Sequence, residues 1–306
     1  MDDTKWFIGL LLIIGLLWIS GKARSRPPEA GVTATSTVQT TTTPPPPPKA
    51  APAGGNPPAG TVISSTVAPQ PDPNTSPLKG KLVVAGGQLY GAVEQEYIAI
   101  QAPSANTENI LITGLSIRSA ETFNSQTIDK GWSLVYPNST GEGENVFLKP
   151  GGVAYLISGR SPMALTTGSL PSRGGFQLNK CTGFFEQGLN FYPGLPIECP
   201  APVQEPLPQP PNRLSDACYD YLASIPRCTV PSGTIPQHLM SDGSCQSHLF
   251  NKISYNQCVS YHREEPDFYK NDWRMYFGRN SKFWRDRREV VELVDAEGKI
   301  IDRRVY

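Results

Sequence analysis

The apolar positions of the chain fall into three regimes. Trp6 to Gly21 (WFIGLLLIIGLLWISG) carries no charge and is bracketed by Lys5 and Lys22. As a helix it covers roughly 24 Å, short of the ~30 Å hydrocarbon core of a bilayer. Snorkelling lysines and interfacial seating of Trp6 and Trp18 make up that difference. The pattern predicts an N-terminal transmembrane anchor over residues 1–23, with a cleaved signal peptide as the competing reading. From Arg24 to Gly80 large apolar side chains almost vanish, and runs such as TSTVQTTTTPPPPP take their place. Such a segment buries too little surface to offset its ordering entropy, so 24–80 is expected to be a disordered Pro/Thr-rich stalk, stiffened at Pro44 to Pro48.

From Lys81 the texture becomes short β-rich runs separated by turn residues: KLVVAG, EYIAIQA, NILITGLSIRS, ENVFLKP and VAYLISG. In EYIAIQA, Ile98 and Ile100 share one face, with Tyr97 and Ala99 on the other. In the third run Leu111, Thr113, Leu115 and Ile117 are expected on one face, the period of two of a half-buried strand, with Gly114 marking a bulge or a close approach. Pro150 to Gly152 reads as a turn. At the far end REVVELVDAEGKIIDRRVY reads as a hairpin turning at Asp295 to Gly298, closing the same β layer structure. No helical period lies between the strands of the first part, which points to an all-β sandwich or barrel.

Between roughly 175 and 272 the character differs. This stretch holds a proline-rich passage, PVQEPLPQPP, and DACYDYLASIPRC, a short helix capped by Asp216 and stopped by Pro226. All 6 cysteines of the chain lie here: Cys181, Cys199, Cys218, Cys228, Cys245 and Cys258. An even number clustered in one segment indicates disulfides formed in an oxidising compartment. Cys181 is expected to pair with Cys199, because NFYPGLP can turn the chain back; the other pairings stay open. The export this implies conflicts with Lys22, Arg24 and Arg26 after the apolar span, which by the positive-inside rule would retain the body in the cytosol. The cysteines decide for a single-pass cell-membrane protein with an extracytoplasmic body.

EYIAIQA, ILITGLSIRS, the Ile128 to Gly131 turn and VFLKPGGVAYLISGRSP together resemble the lamin-tail domain, in its bacterial, membrane-anchored type with a Cys-rich insertion. Leu115 stands where the family's strand carries Trp. The resemblance covers most of 81–306 and implies an immunoglobulin-like β-sandwich, mainly β, with a partly helical disulfide-rich insertion. It also implies a domain associated with protein or nucleic-acid contact rather than catalysis. That functional association rests on fold analogy.

The formal net charge is zero, which argues against a dedicated nucleic-acid binder. One basic-aromatic cluster offers itself for an anionic polymer, DNA or cell wall: Arg279, Lys282, Trp284, Arg285, Arg287 and Arg288, with Phe283 interleaved. The competing reading puts Trp284 in the core. Cys245, His248, Cys258 and His262 have a spacing that approximates a zinc site, a reading the exported context disfavours. No nucleophile elbow surrounds Ser161 and no phosphate-cradling loop is present. The sequence therefore predicts a non-catalytic, membrane-anchored interaction or structural module with no cofactor, ahead of the anionic-polymer binder and, third, an enzyme of unrecognised type. Its expected partners are the membrane, through the N-terminal helix, and a protein or wall polymer.

Overall fold

The structure is a computed structural model that describes residues 75–135, 142–166, 173–231, 233 and 235–306. The expected anchor, and the stalk up to residue 74, lie outside the described residues. Among the described residues no helix is long and apolar enough to cross a membrane. Ser76 is buried and Leu78 packs on the core, so the folded body takes in the last residues that composition groups with the stalk.

The body is mainly β. A six-stranded sheet runs in the order β1 (Val83–Gln88), β2 (Tyr97–Gln101), β8 (Val153–Ile157), β10 (Tyr269–Tyr276), β9 (Gly174–Asn179) and β6 (Gly131–Trp132). Within it β8–β10 and β6–β9 are parallel pairs, and the others are antiparallel. A four-stranded antiparallel sheet runs β12 (Ile300–Val305), β11 (Val290–Val294), β4 (Ser116–Ser119) and β5 (Ser125–Thr127). A small ribbon joins β3 (Ile110–Leu111) to β7 (Phe147–Leu148).

Both large sheets feed one hydrophobic core. Ile98, Ile100, Leu156, Trp273 and Met275 come from the first, and Ile117, Val291, Leu293 and Ile301 from the second. The period of two is clear in β10. Trp273 and Met275 enter this core, while Tyr276 joins a second cluster on the opposite face with Phe176, Leu178, Phe191 and Leu195. The six-stranded sheet is therefore covered on both faces near β9 and β10.

The run NILITGLSIRS is not one strand. Gly114 sits at φ +90° and divides β3 from β4, which join different sheets. Its buried positions are Ile110, Ile112, Leu115 and Ile117, while Leu111 is exposed. The alternation slips by one at the glycine, because a left-handed residue reverses the chain's local twist and re-aims the side chains after it. The terminal hairpin forms as expected. Asp295 Oδ1 accepts from Lys299 N at 2.7 Å and from Glu297 N at 3.1 Å, and Gly298 supplies a φ of +84°.

The cysteine-rich stretch is bounded differently from its composition. Its expected edges, about 175 and 272, are strands of the large sheet, and the insertion proper runs from 180 to 268 between the neighbouring strands β9 and β10. After a helical turn α1 (Pro162–Thr166) before β9, the insertion holds α2 (Asp216–Ser224), α3 (Gly243–Lys252) and α4 (Tyr255–His262). Ser215, not Asp216, caps α2, its hydroxyl accepting from Cys218 N at 3.2 Å. Asp216 instead places its carboxylate in the first turn, where the helix dipole favours it.

One close approach sets the width of the large sheet. A Cβ added at Gly175 would lie 2.1 Å from the Arg274 carbonyl oxygen and 2.4 Å from Met275 Sδ. Gly175→Ala must therefore part β9 from β10, and in urea unfolding it is expected to cost about 1–3 kcal/mol. Gly86→Ala, where a Cβ meets nothing within 4 Å, is expected to change stability by less than about 0.5 kcal/mol.

Candidate functional site

All six cysteines are paired: Cys181–Cys258, Cys199–Cys228 and Cys218–Cys245. The expected Cys181–Cys199 bond does not form. The NFYPGLP segment does turn back, but it spends its apolar residues on the sheet, where Phe191 meets the ring of Phe176 edge-on at 6.1 Å. Cys181 follows β9 directly, and Cys258 lies on the helix that leads back to β10. Since those strands are neighbours, the two ends of the insertion are already side by side. Lys180 N donates to Phe268 O at 2.8 Å across the same base.

The disulfides and the helix faces make a core of their own, in which the cystines pack with Leu222, Leu239, Leu249, Val259 and Phe268. The zinc set is also corrected, since Cys245 and Cys258 are oxidised with separate partners and offer no thiolate. His248 is buried beside Cys245 with Nε2 unpartnered, and burial, aided by Lys252, pulls its imidazole below the ordinary value. Among the described residues one group of side chains, Glu205, Cys258 and His262, has metal-ligand proximity, and the same disulfide occupies its sulfur.

His262 is the hub of an ion network instead. Its Nδ1 lies 2.7 Å from Glu265 Oε1 and its Nε2 lies 2.9 Å from Glu205 Oε2. Lys180 joins Glu265 and, at 2.9 Å, Asp267. Burial alone would lower the imidazole pKa, but the hydrogen bonds and charges of the two carboxylates outweigh it and raise it. Only the doubly protonated ring can donate to both carboxylates, so the imidazolium is the form this geometry holds. The burial of Glu205 pushes its own carboxyl upward, and His262 partly offsets that. A histidine clamped on both nitrogens is a tie between the proline-rich passage and α4, not a free base.

The basic-aromatic cluster is largely spent on structure. Phe283 and Trp284 are buried in the main core and present no stacking face. The ammonium of Lys282 pairs with Asp286 and lies 3.6 Å from the fully buried Glu96, whose Oε2 accepts from Phe283 N at 3.0 Å. Arg285 pairs with Glu121 at 2.9 Å, and Arg279 lies over the Phe283 ring at 5.0 Å. Arg287 and Arg288 are exposed. The cluster thus supplies charge without the aromatic platform that the sequence suggested.

A different concavity, about 570 Å³, opens where β8 and β10 end. It is lined by residues from four segments: Glu94 and Gln95 before β2, Arg160 and Pro162 after β8, Leu189, Asn190 and Tyr192 of the insertion, and Tyr276 with Asn280 at the end of β10. Main-chain bonds fasten the walls together: Ser158 N to Glu96 O at 3.0 Å, Phe277 N to Ile157 O at 2.9 Å and Gly278 N to Gly159 O at 2.9 Å. Under the insertion wall lies Arg274, 3% exposed, its guanidinium 4.0 Å over the Tyr155 ring and donating to Pro193 O and Gly194 O. Ser161, the one serine the sequence raised as a nucleophile, is buried, with its hydroxyl bonded to nothing among the described residues.

Sequence reasoning missed Glu205, Arg274 and Tyr276. A signal existed for Arg274: a cation inside the apolar strand WRMYF has to find a buried partner. Glu205 had none, because its meaning depends on His262, 57 residues away. No family model, curated protein or solved structure matches the chain.

The insertion generates two expected outcomes. The Cys181–Cys258 bond spans 77 residues and Cys218–Cys245 spans 27. By loop entropy the first contributes about 4.5 kcal/mol and the second about 3.5 kcal/mol, so the double variant C181A/C258A should unfold at lower denaturant than C218A/C245A. Second, His262 has a raised folded-state pKa. Its contribution is fully present below the ordinary value, near roughly 6.5, and is lost as pH rises through the raised one. His248, whose pKa is lowered, contributes with the opposite sign, so the His262 contribution is read as a difference. The denaturation-midpoint advantage of the unmodified chain over His262→Gln should shrink on going from about pH 6 to pH 9. A pH-independent difference would assign the slope to other groups.

Proposed function

We propose that the chain is a non-catalytic, membrane-anchored, extracytoplasmic interaction or structural module: an N-terminal helix over 1–23, a Pro/Thr-rich stalk, and a displayed lamin-tail-type, immunoglobulin-like β-sandwich. The observation that carries the extracytoplasmic reading is that all six cysteines are in disulfides, with the longest bond clamping the base of the insertion. Stable bonds of this kind form and persist in oxidising compartments. The sandwich reading is supported by two β-sheets that fill a single core and by the terminal hairpin completing the smaller sheet. The parallel pairs β8–β10 and β6–β9 are additions to the antiparallel pattern of an immunoglobulin-like sandwich, and both lie on the side that carries the insertion.

A module of this kind works by holding a surface at a distance from the membrane. Its disulfide-bonded insertion keeps that surface fixed, with three cystines packed into an apolar core of its own. The test is thiol counting on the full-length chain taken from its own cells. Alkylation of the unfolded chain is expected to add nothing before reduction and six adducts after it. Adducts formed without reductant would place the body in a reducing compartment and overturn the proposal.

A further inference from the structure

The cleft at the ends of β8 and β10 combines fixed walls with unused hydrogen-bonding capacity. Its walls are fixed by the main-chain bonds given above and by a steric lock: a Cβ on Gly159 would fall 2.7 Å from Glu94 Cα, so the first two segments touch backbone to backbone. The insertion wall is held by the Arg274 donations to Pro193 O and Gly194 O and by Phe191 on Phe176. At about 570 Å³ it lies within the usual range of small-ligand sites, roughly 300–1,000 Å³.

The chemistry of the lining selects a ligand class. Gln95, Asn190 and Asn280 bring carboxamides. Gln95 Oε1 already accepts from Ala92 N at 3.2 Å, which leaves its amino group, while Asn190 and Asn280 can each donate and accept. Glu94 and Arg160 are the two charged residues of the lining, and their signs cancel. Tyr192 offers a ring 38% exposed at the rim, and Leu189 adds apolar wall. Tyr276 lines the cleft from β10; its side chain is buried, 3% exposed, and its hydroxyl has no hydrogen-bond partner among the described residues. Burial pushes that phenol far above its ordinary value, so it stays protonated and able to donate.

A purely apolar ligand would strip water from the three carboxamides without replacing its hydrogen bonds, which is costly. An anion would meet Glu94 and a cation Arg160, each with one opposite charge to balance it. A ligand with many neutral hydroxyls suits the wall: it exchanges bonds one for one with the amides and lays its C–H face on the Tyr192 ring. We propose that this cleft binds a neutral, hydroxyl-rich saccharide chain, with Tyr192 as the stacking face and Gln95, Asn190 and Asn280 as hydrogen-bonding partners.

The test uses the full-length chain in detergent, titrated calorimetrically with the N-acetylglucosamine tetrasaccharide and with cellotetraose. Saturable binding of at least one is expected. Tyr192→Ala and Asn280→Ala should each weaken it roughly tenfold with unchanged melting. Tyr276→Phe should leave binding unchanged and stability unchanged or higher, because an unsatisfied hydroxyl sealed beneath the cleft is removed. Co-sedimentation with insoluble chitin and cellulose distinguishes the source: sedimentation released by the tetrasaccharide identifies a polymer ligand, and tetrasaccharide binding without sedimentation identifies a free oligosaccharide. No binding of either sugar at about 10 mM, roughly the weak limit of specific recognition, overturns the proposal. So does binding indifferent to both Tyr192→Ala and Asn280→Ala, or binding of heparin alone that salt abolishes. This result is independent of the thiol count, so the two proposals fail separately.

Discussion

The antiparallel pairing of β9 with β10 is the constraint from which the rest of the body follows. These strands are neighbours in the sheet, yet the chain between them runs from residue 180 to 268. Closing such a loop without a covalent aid is entropically unfavourable by several kcal/mol, and the loss grows only slowly with length. Cys181–Cys258 removes most of that entropy from the unfolded chain, and Lys180 N to Phe268 O closes the first main-chain bond above it. With the base fixed, the insertion can fold back across the sheet. There Phe191 and Leu195 cover the face that Tyr276 and Phe176 present. The same placement creates the cleft, because one of its walls is this returning segment.

Three buried carboxylates follow one rule, and Arg274 departs from it. Glu289, fully buried, accepts from the Ser119 hydroxyl and from Arg285 N, both at 2.8 Å. Glu292 meets Arg118 at 2.5 Å, and Glu205 meets His262. Each buried carboxylate thereby recovers in protein contacts what it lost in water. Arg274 pairs with no carboxylate among the described residues. It relies on a tyrosine face and two carbonyl oxygens, and its Nε and Nη1 find no partner among those residues. Desolvation accordingly lowers its pKa. Its position explains why it is kept: it is the side chain that reaches from the sheet to the turn at Pro193 and Gly194, and no apolar residue could hold carbonyl oxygens there.

Legibility in the sequence tracked the range of the interaction. The alternation of Ile98 and Ile100 against Tyr97 was readable because a strand's period is local, and so was the Asp295 to Gly298 turn, whose hydrogen bonds stay within a single short loop. Gly114 was readable as a break, but not as a change of sheet, since which partner β4 takes is decided by β11 near the other end of the body. Disulfide formation followed from the number and clustering of cysteines, whereas the pairing did not. That depended on β9 and β10 being neighbours, a fact about topology that spacing between cysteines does not contain. The basic-aromatic stretch allowed two readings for a related reason, and the structure has the one with Trp284 in the core. Phe283 and Trp284 look like a binding face only while Glu96 is out of view. Once its carboxylate accepts from Phe283 N and faces Lys282, the segment reads as a strap across the core.

These features bear on how a β-rich body can acquire a site without losing its core. The face shared by the two large sheets is filled by Trp273, Met275, Leu156 and their neighbours, and any polar group placed there would need a buried partner. The opposite face of the six-stranded sheet has no second sheet to satisfy. It is covered by the disulfide-held insertion, whose cystines pack with its own apolar residues, such as Leu222, Leu249 and Phe268, in a core separate from the main one. A cover of that kind tolerates polar residues at its margin, because few of its apolar contacts depend on them. The amides of Asn190 and Asn280 and the ring of Tyr192 lie at that margin, where the insertion meets the strand ends. Rigidity from cystines and polarity at the edge are thus two consequences of the same insertion, and recognition chemistry can vary there while the core stays as it is.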